Sequence, residues 1–591
     1  MNVTAIDWAI IAAFFIISLL IGILTSKKAG SSAKEFFLSG RNMPWWLLGV
    51  SMVATTFSAD TPNLVTDIVR KNGVSGNWAW WAFLLTGMLT VFVYAKLWRR
   101  SEVTTDLEFY ELRYSGKGAA FLRAFRAIYL GVFFNVVIMA TVSLAAIKIG
   151  GVMLGLSDIE TLLIASVVTV IYSSLGGLKG VLLTDFFQFF IAIIGSFGAA
   201  YFILDLPEVG GLENLLSHPN VSDKLDFVPD FNDPNVYIPL FIMPIAIQWW
   251  ATWYPGAEPG GGGYIAQRML SAKDEKNAVG ATLFFNIAHY ALRPWPWIII
   301  ALSSLIVFPN ISDMQAAFPD VAVDKLGDDL GYPAMLTYLP TGLIGIVLAS
   351  LIAAVMSTLS THLNWGSSYI VNDFYLRFVK PEASDKELVA VGRISTVGLM
   401  VMSAFLALAL SSALEAFNIL LQIGAGTGLI FILRWFWWRI NAYTEISAMA
   451  ISFVVAIFFE SFNPDLGWIE IPENQSYLKL VYSVSITTVG WLLVTFLTQP
   501  EKDEVLLKFY RKVHPAAFGW KKVLDRYPEE KQDIGQLPKE IGLMLIGSIM
   551  IYAALFASGF WIYGEAIQGM VATLVAVICG GIVLLSWKNL R

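Results

Sequence analysis

About fifteen stretches of this chain are apolar for long enough to cross a bilayer: near 6–26, 44–66, 78–98, 120–150, 157–178, 182–205, 236–256, 277–308, 336–370, 390–411, 414–436, 443–461, 478–498, 541–561 and 566–587. A hydrocarbon core of about 30 Å takes about 20 helical residues. In lipid every backbone polar group must bond within its own helix or a closed barrel. An all-α polytopic membrane protein is therefore expected, with the lipid bilayer as its solvent. The composition agrees: 57% of the 591 residues are hydrophobic and 14% charged, against about a quarter charged in soluble domains. The single Cys, Cys579, excludes an intramolecular disulfide and a Cys-rich metal site, and four His argue against a His-based metal enzyme. The first segment, Trp8–Leu24, has no basic run before it and no clear cleavage site after it, so it reads as a retained helix.

Lys and Arg are distributed unevenly between the gaps. Alternate gaps hold Lys27, Lys28, Lys34 and Arg41; Arg99, Arg100, Arg113 and Lys117; Arg268, Lys273 and Lys276; Lys380, Lys386 and Arg393; Arg434 and Arg439; and the basic stretch Lys502–Lys539. The opposite gaps hold only Arg70, Lys71, Lys224 and Lys325, with Lys479 at a border, and their loops are acidic. The positive-inside rule then places the N-terminus outside and the C-terminus in the cytoplasm. A plasma or inner cell membrane is the expected location.

Two segments cannot be continuous helices. The first, GVSMVATTFSADTPNLV, carries Thr55, Thr56, Ser58, Asp60, Thr61 and Pro62 in mid-span. The second, IQWWATWYPGAEPGGGGYIAQR, carries Pro255, Gly256, Pro259 and Gly260–Gly263. Broken backbone survives in a membrane only where it lines a cavity or is buried in protein. The breaks lie five segments apart, which suggests two five-helix repeats, about 44–205 and 236–436, and paired breaks point to a transporter's binding site. A reentrant channel loop is the rival reading. The stretch AAVMSTLSTHLN, 353–364, adds a polar stripe: Ser357, Thr361, Asn364, Ser368 and Asn372 share one helix face. Such hydroxyls either suit a hard cation such as sodium or bond back to their own helix and glue helices together.

Four stretches resemble the sodium:solute symporter family, which includes sodium–glucose, sodium–proline and sodium–sialic acid cotransporters. Tyr172–Gln188, YSSLGGLKGVLLTDFFQ, is similar to its signature, except that Gly180 stands where Ser, Ala or Pro is usual. SMVATTFSAD resembles the broken first core helix, Tyr264–Arg268 the end of the seventh helix, and AAVMSTLST the ninth. The resemblance implies the LeuT-like 5+5 inverted-repeat fold over 41–440. It leaves one extra N-terminal helix in 1–40 and about four extra helices in 441–591, interrupted by a Lys/Arg-rich cytoplasmic loop at 499–540. It also implies a sodium site made by the carbonyls of Ala54, Phe57 and Ala354 and the hydroxyls of Ser357 and Thr358. Carbonyls freed by a helix break and two hydroxyls form an oxygen shell without fixed charge. Asp185 is carried over as the acidic residue below that site, holding a further sodium or guiding exit; the alternative is a border carboxylate paired with Lys179. The resemblance implies sodium as the transported coupling ion.

The solute site is expected at mid-membrane. Thr61 and Trp80 stand where the family's sugar carriers use Gln and Glu. Gln422 matches a sugar-contacting Gln, and Tyr264 the Tyr that closes the pocket from inside. Glu258 is a polar candidate that either contacts solute or pairs with a cation at the rim. His289 and Arg293 lie one turn apart inside an apolar span. An intramembrane Arg is a functional candidate by default; it either grips a carboxylate or pairs with Glu258 or Asp67. Trp78, Trp80, Trp81, Trp249, Trp250 and Trp253 offer stacking walls or interfacial anchors. Asp67, Arg70 and Lys71 read as solvated or gating residues at the outer mouth. The expected function is sodium-coupled symport of a small polar solute by alternating access, with no enzyme activity and no nucleic-acid partner. A sugar-like solute comes first and a carboxylate or amino acid second. A membrane sensor with a symporter-like domain and a proton-coupled permease are the rivals.

Overall fold

The computed structural model describes residues 3–56, 58–251, 258–319, 321, 326–410, 424, 426–463, 467–472, 475–530 and 536–587. Among them no strand occurs; one isolated bridge joins Met43 to Ala272. The principal helices are α1 (Ala5–Ala29), α2 (Trp45–Thr56), α3 (Asp60–Asn72), α4 (Val74–Ser101), α5 (Gly116–Leu154), α6 (Asp158–Leu204), α7 (Pro234–Ala246), α8 (Gly263–Ser271), α9 (Glu275–Val307) and α10 (Leu343–Val379). They are followed by α11 (Asp385–Ala409), α12 (Ala442–Ile457), α13 (Leu478–Leu497), α14 (Asp503–Val513), α15 (Leu537–Ile562) and α16 (Ala566–Trp587).

Among the described residues ten helices are long and apolar enough to cross a membrane. Five of the fifteen expected spans are missing from that number for identifiable reasons. Two are broken, as their Pro, Gly and Thr content requires: one into α2 and α3, the other into α7 and α8. The 16 residues of α12 fall short of a full span. The first half of the segment near 414–436 (414–423, with 425) lies outside the described residues. The fifth is absorbed into α6, whose 47 residues would reach about 70 Å if straight.

Gly177 divides α6 into two limbs, with φ 53° and ψ −161°, a conformation closed to residues with a Cβ. Gly22 of α1 packs on Tyr172 and Thr25 on Gly176, so α1 runs parallel to the first limb. Phe14 stacks on Phe187 at 6.1 Å, so α1 runs antiparallel to the second. The chain therefore reverses at Gly177, and the two expected segments 157–178 and 182–205 are its limbs. A Cβ there would lie 2.8 Å from the Phe36 carbonyl oxygen.

Asp7 ties α1 to α10. One carboxylate oxygen accepts from Thr4 N (2.9 Å) and Thr4 Oγ1 (2.7 Å); the other accepts from Gly342 N (2.7 Å) and Gly345 N (2.9 Å). A single buried carboxylate thus caps two helix N-termini, where the free N–H groups and the helix dipole favour negative charge. In the C-terminal part, α15 lies against α4 and α9. Tyr552 donates to the Trp81 carbonyl (2.8 Å), Trp295 Nε1 donates to the Leu555 carbonyl (2.9 Å), and Lys96 pairs with Glu540.

Gly177→Ala is expected to destabilise the fold by about 1–3 kcal/mol, seen as a lower unfolding midpoint of the detergent-purified protein. Gly398→Ala in α11, where a Cβ meets nothing within 4 Å, should leave the midpoint unchanged or raise it.

Candidate ion and solute sites

Asp185, on the second limb of α6, is fully buried and joins three other helices. One carboxylate oxygen accepts from Ser357 Oγ of α10 at 2.7 Å; the other accepts from the Ser51 hydroxyl of α2. Arg268 of α8, equally buried, lies 3.7 Å away. Its guanidinium donates to Ser51 Oγ (3.2 and 3.3 Å), Thr361 Oγ1 (2.8 Å) and Gln267 Oε1 (3.0 Å), and it stands over the Tyr264 ring at 5.5 Å. The short helix α8 is fixed at its start by Asp106, which accepts from Gly263 N at 2.9 Å, a carboxylate at a helix N-terminus. The cation beside Asp185 is thus Arg268 and not Lys179.

Ser357 and Thr358 lie where α10 crosses the broken end of α2. Thr358 Oγ1 donates to the Thr55 carbonyl (2.9 Å) and to the Ala354 carbonyl of its own helix (3.1 Å). Thr55 is next to Ala54, and Phe57 is outside the described residues. The last carbonyls of α2 have no helical partner because the helix stops at Thr56. A hydroxyl has one proton to donate and two lone pairs, so Ser357 and Thr358 keep oxygen density for a hard cation while bonded as they are. The donors gathered here are Ser357, Thr358, two carbonyls and Asp185, the type of set that binds sodium. Lower on the stripe, Thr361 Oγ1 meets Thr55 Oγ1 at 3.0 Å, and Asn364 Oδ1 accepts from Gln267 at 2.9 Å.

A second cluster surrounds the break between α2 and α3. Thr61 Oγ1 donates to the Thr56 carbonyl at 3.4 Å, and Thr56 Oγ1 lies 3.4 Å from His289 Nδ1. Arg293 bonds to the Val53 carbonyl (3.2 Å) and to His289, and lies over the Trp297 ring at 5.2 Å. Trp80 stands edge-on to His289 at 5.6 Å and stacks on Tyr290 at 5.8 Å. His289 falls in a π-helical turn, Ala288–Leu292, just before Pro294, the kind of irregularity common at functional sites. Thr61, Trp80, His289 and Arg293 are thereby brought together. Tyr264 belongs to the Arg268 cluster, 6.1 Å from the His362 ring.

Glu258 stands apart from both. It forms a buried ion pair with Arg126, whose guanidinium lies over Tyr110 (5.5 Å) and Phe431 (5.0 Å). Asp67 pairs with Lys71 at 2.7 Å and Arg70 with Asp328 at 2.8 Å. Both carboxylates offered from the sequence as partners of Arg293 are therefore engaged elsewhere. Gln422 and Trp253 lie outside the described residues. From the sequence Ser51 and Gln267 carry no individual role, although they fall within the family-like stretches SMVATTFSAD and Tyr264–Arg268. Removing one member of a buried ion pair costs about 3–5 kcal/mol. Arg126→Met alone should show that loss in thermal unfolding, and Arg126→Met with Glu258→Leu should recover most of it.

The geometry of broken helices crossing a polar stripe agrees with the comparisons. The structure is similar to that of a Na+-coupled sialic acid symporter, with a TM-score of 0.67 at 19% identity, covering 85% of this chain and 99% of that one; the fold is the LeuT-like symporter fold. The sequence is 26% identical over 480 residues to a sodium/glucose cotransporter of Vibrio parahaemolyticus, covering 77% of this chain and 85% of that protein. It is 27% identical over 426 residues to a sodium/mannose cotransporter of Bos taurus, covering 68% and 69%. The model of the sodium:solute symporter family matches residues 36–452. This chain belongs to the sodium:solute symporter family.

Proposed function

We propose that the protein imports a small polar organic solute, sugar or sugar-like, with sodium as the transported coupling ion, by alternating access. The observation that carries this reading is the crossing of α10 over the broken end of α2, where Ser357, Thr358, the Thr55 and Ala354 carbonyls and Asp185 meet. Sodium held there by Ser357, Thr358 and the Ala54, Phe57 and Ala354 carbonyls would fasten α2 to α10 and stabilise one arrangement of the two. Solute then binds at the adjoining break, against Thr61, Trp80, His289 and Arg293, with Tyr264 and Gln422 as further solute contacts. Sodium leaves past Asp185.

The transporter core is taken as 41–440, with 1–40 and 441–591 as extensions. The one-sided Lys/Arg count supports an N-terminus outside and a C-terminus in the cytoplasm. Membership of a transporter family supports a non-enzymatic role. The names of the sodium/glucose and sodium/mannose relatives favour a sugar. Stacking of Trp80 on Tyr290 also suits a sugar ring. One observation favours a carboxylate or amino acid instead: a guanidinium, that of Arg293, is buried at the break.

Ser357→Ala combined with Thr358→Ala should raise the sodium concentration for half-maximal uptake by about tenfold or more; unchanged sodium activation would sink the ion site. Sodium-dependent thermal stabilisation by a panel of sugars, carboxylates and amino acids selects the solute class. Stabilisation by anionic solutes alone, lost in Arg293→Gln, would decide against the sugar.

A further inference from the structure

Asp185 poses a problem that the sodium site alone does not solve. A carboxylate sealed away from water is costly without a counter-charge, yet a carrier must pass through states with no sodium bound. The guanidinium of Arg268 is placed to meet that need. It lies 3.7 Å from the carboxylate, one step short of direct contact. The Ser51 hydroxyl bridges the gap: it accepts from Arg268 and donates to Asp185. Nη2, the nitrogen nearest the carboxylate, spends its hydrogens on Ser51 Oγ (3.2 Å) and Thr361 Oγ1 (2.8 Å), while Nη1 donates to Gln267 Oε1 (3.0 Å). Arg268 touches neither Ser357 nor Thr358 by any of these bonds. It is anchored on the floor of the site rather than in the ion's shell.

We propose that Arg268 is the resident counter-cation of Asp185. It compensates the carboxylate when sodium is absent and so sets how readily the ion leaves; this rests on the sodium site proposed above. Sodium and Arg268 compete for one carboxylate. Thr361 and Gln267 hold the guanidinium short of direct contact and so tune the competition in sodium's favour. Arg268 is a positioning residue: it acts on the ion through Asp185.

The test uses the full-length purified protein and sodium chloride as the probe, titrated against choline chloride at constant ionic strength, with the unfolding midpoint as readout. In Arg268→Gln the half-saturating sodium concentration should fall by about tenfold, and the loss of stability should be concentrated in choline. Arg268→Lys, which keeps the charge, should stay within about threefold of the parent. Thr361→Val removes one of the bonds that hold the guanidinium back, and should shift the half-saturating concentration the opposite way, upward by about threefold. A purely structural role would lower the midpoint equally in both salts and leave the sodium concentration unchanged, and that result overturns the proposal. If Arg268→Gln is not recovered, Thr361→Val decides alone: an unchanged or lowered value overturns it. Failure of the sodium site itself has a different signature, a parent protein with no sodium-induced shift or one that survives Ser357→Ala with Thr358→Ala.

Discussion

A carboxylate in a dry interior must be given partners, and Asp185 takes them from three helices at once. Ser51 comes from the broken helix α2, Ser357 from the polar face of α10, and the nearby charge from Arg268 on α8. Much of the remaining architecture serves this meeting. The reversal at Gly177 turns the second limb of α6 inward with Asp185 on it. Asp106 pins the start of α8, the helix that carries Arg268. The end of α2 at Thr56 frees the carbonyls that Thr358 and an ion can use. Each of these would be a defect in a simple bundle of straight helices, and each is explained by what it brings to the carboxylate.

The cluster around the break between α2 and α3 is braced by α15. Trp80 lies on α4, and His289 and Arg293 lie on α9. The neighbours of these residues on both helices are fastened to α15 through Trp81, Trp295 and the Lys96–Glu540 pair. The helix α15 therefore buttresses the wall that carries the aromatic and basic side chains. By contrast α16 is mostly exposed at its surface, as expected of a helix that faces lipid.

Local features were legible in the sequence and long-range pairings were not. Clustered proline, glycine and polar residues inside an apolar stretch interrupt a helix, so both interruptions could be placed from the sequence alone. The apolar lengths gave the spans, and periodicity put Ser357, Thr361 and Asn364 on one face. Asp185 and Ser357 were recognisable through the motif. Their bond was not, because nothing in a one-dimensional pattern says which cation faces which carboxylate. Arg268 entered as a basic residue near Lys273 and Lys276 and as the last residue of the Tyr264–Arg268 motif, with no carboxylate assigned to it. Glu258 was left open between solute contact and rim partner; its cation, Arg126, is 132 residues away in the chain. Arg293 was offered Glu258 or Asp67, and tertiary packing engaged both elsewhere.

The carboxylate of Asp7 carries a mechanical consequence. It closes the first turn of α1 and the first turn of α10 with the same two oxygens, and α1 in turn lies along both limbs of α6. Sliding α10 along its axis would pull Asp7 off one set of N–H groups or drag α1 and α6 with it. These three helices form a stator on which Asp185, Ser357 and Thr358 ride without relative travel. The broken segments are not tied to Asp7: α8 is held by Asp106 and the end of α2 by Thr358 and Thr361, so they form the other side of a joint with it. An ion held between Thr358 and the end of α2 therefore spans a joint, and its binding strength reads the opening of that joint.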